Sequence, residues 1–222
     1  PVEKEAPVPK GLDYNLFVGP AEFIPYTPHI TTQKYWRMIK NFASGSLVDW
    51  GSHQVDTAQL AVNDPHVCPV AVEGTGEIPE NAMTTVPVSF DVKYRYSNGV
   101  KVRVRSGGTG IRLTGSKGWV GNDRWRGRLK ASDEKILHKK YTPETSKHWP
   151  MPVGEQQNFI DCVKSRKPPT YPAETMHSLH TTLLMGDIAI RLGRKLRWDP
   201  KKEAFIGDDA ANAMRTKPAR AD

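Results

Sequence analysis

Between Phe90 and Arg105 the apolar residues keep to even positions: Phe90, Val92, Tyr94 and Tyr96, then Val100, Val102 and Val104. A period of two over this length is the signature of paired strands with one face buried. A two-residue Asn98-Gly99 turn would pair even with odd positions and set Tyr against Lys on both faces. A three-residue loop, Ser97-Asn98-Gly99, instead pairs Tyr96 with Val100, Tyr94 with Val102 and Val92 with Val104, with Gly99 left-handed. That register places Arg95 opposite Lys101 and Lys93 opposite Arg103. Like charges across a ladder repel, so the polar face calls for water, salt or an acidic partner.

The hairpin lies in the most basic part of the chain. Eleven Lys and Arg fall between Lys93 and Lys130 against one acid, Asp123. The remaining residues carry twenty-one bases and twenty-three acids, so the formal charge of +8 belongs to one region. A polyanion platform is the weaker reading of this charge, because the aromatics that could stack on bases lie on the apolar face. No nucleic-acid partner is therefore expected. No stretch approaches the roughly eighteen consecutive apolar residues of a membrane span. Cys68 and Cys162 are too few for a disulfide scaffold or a Cys-rich zinc site and read as two buried free thiols.

The 222 residues read as one domain. Residues 1–35 are Pro-rich and predicted to be an extended lead-in. A helix follows Ser44-Gly45-Ser46, with Leu47, Val48, Val55, Ala58, Leu60 and Ala61 as its apolar stripe, and stops at Asn63-Asp64-Pro65. Residues 66–130 suggest five or six strands, and residues 131–153, with Pro143, Pro150 and Pro152, are irregular. A second helix runs from Glu155 to about Arg166. The longest opens at Pro172 and is capped by Gly193. Residues 201–222 read as a polar tail with a short helix near Ala210–Met214. Helix, strands, then helices predict an α+β fold: a large, mostly antiparallel open sheet with helices on one face.

The densest polar cluster is Asp49-Trp50-Gly51-Ser52-His53-Gln54-Val55-Asp56. On a helix Asp49 and His53 share a face, one turn apart, with Asp56 three residues further on. A carboxylate beside an imidazole is a minimal proton-transfer pair. On spacing alone, a capping acid and a structural histidine account for it as well. A metal reading through Asp49, His53, Asp56 and His66 lacks a compact ligand signature. Gly107-Gly108-x-Gly110 has strand-like flanks and reads as a β-turn, not a dinucleotide loop. Arg191 to Arg197 read as the cationic end of the long helix.

Several stretches resemble the C-terminal domain of the Gfo/Idh/MocA oxidoreductases. They are Leu12 to Pro20, Tyr35-Trp36-Arg37, Gly45 to Asp56, Asn158 to Cys162, Leu192 to Pro200, and Phe205-Ile206-Gly207-Asp208-Asp209 with Ala211-Asn212-Ala213. The resemblance implies a substrate-binding and oligomerisation domain of an enzyme that oxidises a sugar or polyol carbinol with NAD or NADP. It implies an N-terminal Rossmann domain in cis or trans to hold that cofactor, and a homo-oligomer built through the open sheet. It also makes His53 the proton acceptor or donor with Asp49 tuning it, both in one open cleft, and draws Trp36, Arg37, Asp56 and His177 to the substrate. Gln54, Ser178 and Leu184 depart from the histidines and arginine common in one bacterial branch. Location is open between cytoplasm and periplasm, because an export signal could precede Pro1. The alternatives are a cofactor-independent lyase, isomerase or hydrolase using Asp49 and His53, and a non-enzymatic binding or assembly module.

Overall fold

The structure, a computed structural model, describes residues 2–62, 67–140, 142, 144, 146 and 154–220. Strands β1 (Ala71–Glu77), β2 (Ser89–Arg95) and β3 (Lys101–Arg105) form an antiparallel meander. Val92 faces Val104, Tyr94 faces Val102 and Arg95 faces Lys101, as the alternation predicts. The Tyr96 amide donates to the Val100 carbonyl at 2.9 Å, and Gly99 takes φ +88°, which an L side chain resists. The outer face carries its own acids. Glu73 lies opposite Lys93 with a 3.8 Å contact, and Asp91 pairs diagonally with Arg103. Arg95 and Lys101 make no ion pair with a described residue.

Strands β4 (Ile111–Gly115), β5 (Gly118–Asn122) and β6 (Lys130–Ala131) complete the six within the alternating stretch, but they form a sheet of their own. The main sheet gains β7 (Leu196–Asp199) and β8 (Ala204–Phe205) instead, in the order β3-β2-β1-β7-β8. The predicted antiparallel sheet is thus divided at the Gly107-Gly108-Thr109-Gly110 connection. A Cβ on Gly110 would meet the Asn122 carbonyl oxygen at 2.5 Å, so close approach to β5, not to β3, fixes where this segment goes. All pairings among the described residues are antiparallel.

Helix α6 (Ala173–Leu192) begins just after Pro172 and ends at Gly193 with φ +62°. It packs on β1 and β2, burying Met185, Ile188, Ala189 and Ile190 against Val72, Val92, Tyr94 and Leu196. Helices α2 (Gly45–Asp49) and α3 (Gly51–Ala61) pack on α6. Helix α5 (Glu155–Ser165) ends at a left-handed Arg166, matching the predicted stop. The lead-in holds a short helix, α1 (Tyr14–Val18), inside a small core of Tyr14, Val18, Tyr26, Ile30 and Ile39. A further short helix, α4 (Glu134–His138), follows β6.

The basic run at 191–197 is a helix end only in its first residue, Arg191 in the last turn of α6. Arg191 pairs with Asp187 one turn back at 2.8 Å, Arg194 clasps Asp208 at 2.7 Å, and Arg197 lies on β7. The tail is structured: Phe205 and Ala211 are buried, and α7 (Asp209–Ala213) is capped by Asp208. Both cysteines are free, but only Cys68 is buried; Cys162 is part-exposed. Burial pushes the Cys68 thiol up, opposed by hydrogen bonding to Ser178 and Thr182. The helix stop at residues 63–65, His66, and Pro143, Pro150 and Pro152 lie outside the described residues.

Candidate active site

Two glycines set α2 and α3. Gly45 opens α2 at φ +66°, where a Cβ would lie 2.6 Å from Val86 Cγ2. Gly51 lets α3 close on α6, because a Cβ there would lie 2.7 Å from Leu183 Cδ2. Between the helices the Ser52 hydroxyl donates to the Val48 carbonyl at 2.6 Å, a back-bond that bends helices. The His53 amide donates to Trp50 O at 3.1 Å, tightening the first turn of α3. Asp49 therefore closes one helix and His53 opens the next.

His53 and Asp49 are both exposed. The His53 imidazole makes no hydrogen bond to a described residue, so both ring nitrogens are available. Its neighbours are aromatic: its ring centroid is 5.8 Å from Trp50 and 5.0 Å from Trp125. Asp49 makes no ion pair with His53; its Oδ2 lies 3.9 Å from Nη1 of Arg37. The Arg37 guanidinium stands 5.4 Å from the Trp36 ring centre, at the 3-10 turn Trp36–Met38. Burial raises the Asp56 carboxyl above its usual range, and the charge of His53 opposes that rise. Asp56 is thus the carboxylate that shares its electrostatics with His53.

Trp36, Arg37 and Asp49 are thus in contact through Arg37 and His53 is coupled to Asp56, whereas His177 is engaged elsewhere. Its Nε2 meets Glu203 Oε1 at 2.6 Å, beside Ala173, Glu174 and Ser178. His180 is the imidazole of α6 that reaches α3, with Nε2 3.5 Å from Ser52 Oγ and Nδ1 2.9 Å from Met176 O. The departures from the branch pattern have structural occupations. Gln54 Nε2 donates to Thr109 O at 3.0 Å. Ser178 is buried against Cys68, and Leu184 is exposed.

A cleft of about 1180 Å³ opens on the opposite flank of α3, between β3 and the β4–β5 hairpin. Trp50, Gln54 and Val55 line it, and Asp49 and His53 do not, so the pair stands outside the large cleft instead of within it. Lys101, Arg103, Arg105, Arg112, Lys117 and Lys135 are among its lining residues, and none of the lining residues is acidic. Sequence reasoning missed Trp50, Trp125 and Thr109. Nothing local marks Trp125, a lone aromatic in an Arg-rich turn, as a neighbour of His53.

These residues do not form a dinucleotide site. The Gly107–Gly110 run joins β3 to β4, strands of different sheets, with no strand-to-helix turn to seat a pyrophosphate. Among the described residues no group of three His, Cys, Asp or Glu side chains converges as metal ligands would. No described helix is long and apolar enough to cross a membrane.

Comparison with known proteins bears on the fold. The chain is similar to an aldose-aldose oxidoreductase from Caulobacter crescentus solved with glycerol, at 20% identity and TM-score 0.56 over 74% of this chain and 51% of that one. It is also similar to an NAD-binding protein from Listeria innocua, at 16% identity and TM-score 0.54 over 73% and 50%. An oxidoreductase from Thermotoga maritima aligns at 15% identity and TM-score 0.50 over 83% and 52%. The chain spans about half the length of each of these structures. No functionally curated protein matches it. The profile of the oxidoreductase family's C-terminal alpha/beta domain matches residues 2–222, so the chain belongs to the Gfo/Idh/MocA oxidoreductases as their C-terminal domain.

Proposed function

We propose that this domain binds the substrate and builds the oligomer of an NAD(P)-dependent oxidoreductase acting on a sugar or polyol carbinol. The observation that carries the reading is the state of His53: exposed, free of hydrogen bonds to described residues, and packed against a pair of touching tryptophans beside a part-buried carboxylate. An imidazole so placed can take the hydroxyl proton as the carbinol becomes a carbonyl. Asp49 and Asp56, one turn before and after it, lower the energy of the imidazolium that results. Trp36 and Arg37 extend the site on the Asp49 side. His177 joins the substrate only by releasing Glu203. The hydride belongs to NAD or NADP, carried by an N-terminal Rossmann domain in cis or trans, since these residues do not form that site.

The charged outer face of the main sheet is the proposed oligomer contact. Arg95 and Lys101, which lack ion-pair partners among the described residues, would meet carboxylates of a second subunit there. Sedimentation in rising salt tests this: dissociation is the expected outcome, and an unchanged mass from low to high salt contradicts it.

The catalytic assignment is tested in the protein that joins this domain to its Rossmann domain, with NAD(P) and a panel of aldoses and polyols. His53→Ala is expected to lower kcat by about 10²- to 10⁴-fold with a smaller change in KM. Unchanged turnover removes His53 from the mechanism. Turnover by the isolated chain without NAD(P) favours the lyase or isomerase reading instead.

A further inference from the structure

The tryptophans beside His53 are unexplained by packing. Trp50 is 46% exposed and Trp125 40%, and neither belongs to the buried core. Single exposed aromatics are ordinary, but these two converge edge to face, centroids 6.5 Å apart, with the His53 ring against both.

The arrangement is braced. Trp125 sits in the turn from Arg124 to Gly127, closed by Gly127 N–H donating to Arg124 O at 2.8 Å. The next residue, Arg126, is left-handed at φ +56°, a conformation that a non-glycine residue adopts at a cost. Thr109 ties the turn to α3: its hydroxyl accepts from the Trp125 amide at 3.0 Å, and its carbonyl accepts from Gln54 Nε2 at 3.0 Å. Gln54 neighbours His53, so the helix that carries the imidazole also anchors the loop that carries the indole. The Arg126 guanidinium stands 5.9 Å from the Trp125 ring centre and supplies hydrogen-bond donors at its margin.

Flat, exposed indoles offer an apolar face with electron-rich character, which suits the C–H face of a pyranose chair. Bound so, a ring presents its equatorial hydroxyls sideways, toward an imidazole and a guanidinium. We propose that Trp50 and Trp125 form a pyranose-stacking subsite that sets a ring hydroxyl against His53 and selects cyclic sugars over open-chain polyols. The inference rests on the sugar-oxidoreductase reading above and names the form of sugar taken.

The test uses this chain without cofactor, following tryptophan indole N–H signals by NMR during titration with methyl β-D-glucopyranoside and, separately, sorbitol. Trp50→Phe and Trp125→Phe assign the two signals. The pyranoside is expected to shift them in preference to the other four indoles, and sorbitol to leave them in place. Trp125→Ala should weaken pyranoside binding about tenfold, while Trp125→Phe, which keeps a ring, stays within about threefold. Pyranoside binding that leaves both indoles unmoved, or that survives Trp125→Ala and Trp50→Ala at full affinity, overturns the subsite and spares the sugar-binding reading. Equal response to sorbitol overturns the selectivity. If neither sugar binds, the subsite and the sugar-binding role of the isolated domain fall together.

Discussion

The two sheets of this domain are built from neighbouring sequence yet stand in different energetic regimes. The five-stranded sheet presents Val72, Val92, Tyr94, Leu196 and Trp198 to a continuous core under α6, each 4% exposed or less. In the three-stranded sheet Gly121 is the one buried strand residue, and no side chain joins a buried core cluster. Its contacts are of another kind: Arg112 over the Trp119 ring at 4.2 Å, Lys130 with Asp123, and Ser132 Oγ accepting from the Trp119 amide at 3.0 Å. A small sheet whose apolar face, Ile111, Leu113, Val120 and Ala131, is only half-buried is marginal by itself. One region holds the domain together; the other carries cationic side chains and Trp125 to the site.

The sharpest contrast lies in core truncations. Leu183, fully buried on α6, should lose about 3 kcal/mol of unfolding free energy as Leu183→Ala, and part-exposed Leu113 on β4 less than about 1 kcal/mol as Leu113→Ala, in urea titrations. Equal losses would mean that the second sheet has a core of its own. Hydrogen exchange offers a finer comparison. Ladder amides of β4 and β5 should exchange about a hundredfold faster than those of β1 and β2. Matching protection would make the two sheets one cooperative unit.

The smallest effect concerns Asp91 on the outer face of the main sheet. Hydrogen bonding to Arg103 holds its carboxyl below the usual range, against slight desolvation. A folded-state pKa lowered in this way stabilises the protein above the ordinary carboxylate pKa, and that contribution is lost as pH falls through the lowered value. Asp91→Asn should therefore be slightly less stable at neutral pH and equal to the parent once the Asp91 carboxyl is protonated in both the folded and the unfolded state. A deficit that persists in strong acid would point to packing. Both partners are part-exposed, so added salt should shrink the difference.

The legible parts were those governed by neighbours in sequence. Alternation from Phe90 to Val104 was long enough to exclude other registers, and Pro172 and Gly193 bracket α6 through their own dihedral preferences. Strand β7 was hidden because only Leu196 and Trp198 alternate, too few positions for a period to show. The site divides likewise. Spacing suggested Asp49 and His53 on one face of a single helix with Asp56 three residues further on, whereas the structure breaks that helix between Asp49 and Gly51. The Arg37 contact of Asp49, the Glu203 bond of His177 and the approach of Trp125 all join residues far apart in the chain.

By itself the sequence determined the α+β class, the hairpin and its charged face, the main helices and the family. These follow from side-chain period, glycine and proline dihedrals, and motifs within a few residues of one another. Only the tertiary structure decided that the sheet divides at residues 107–110, that the 201–220 segment is built into the fold, and that His53 packs against a pair of indoles outside the large cleft. Each of these depends on which distant surfaces meet, and Gly51, Gly110 and Thr109 act there by permitting or tying contacts that no local pattern encodes.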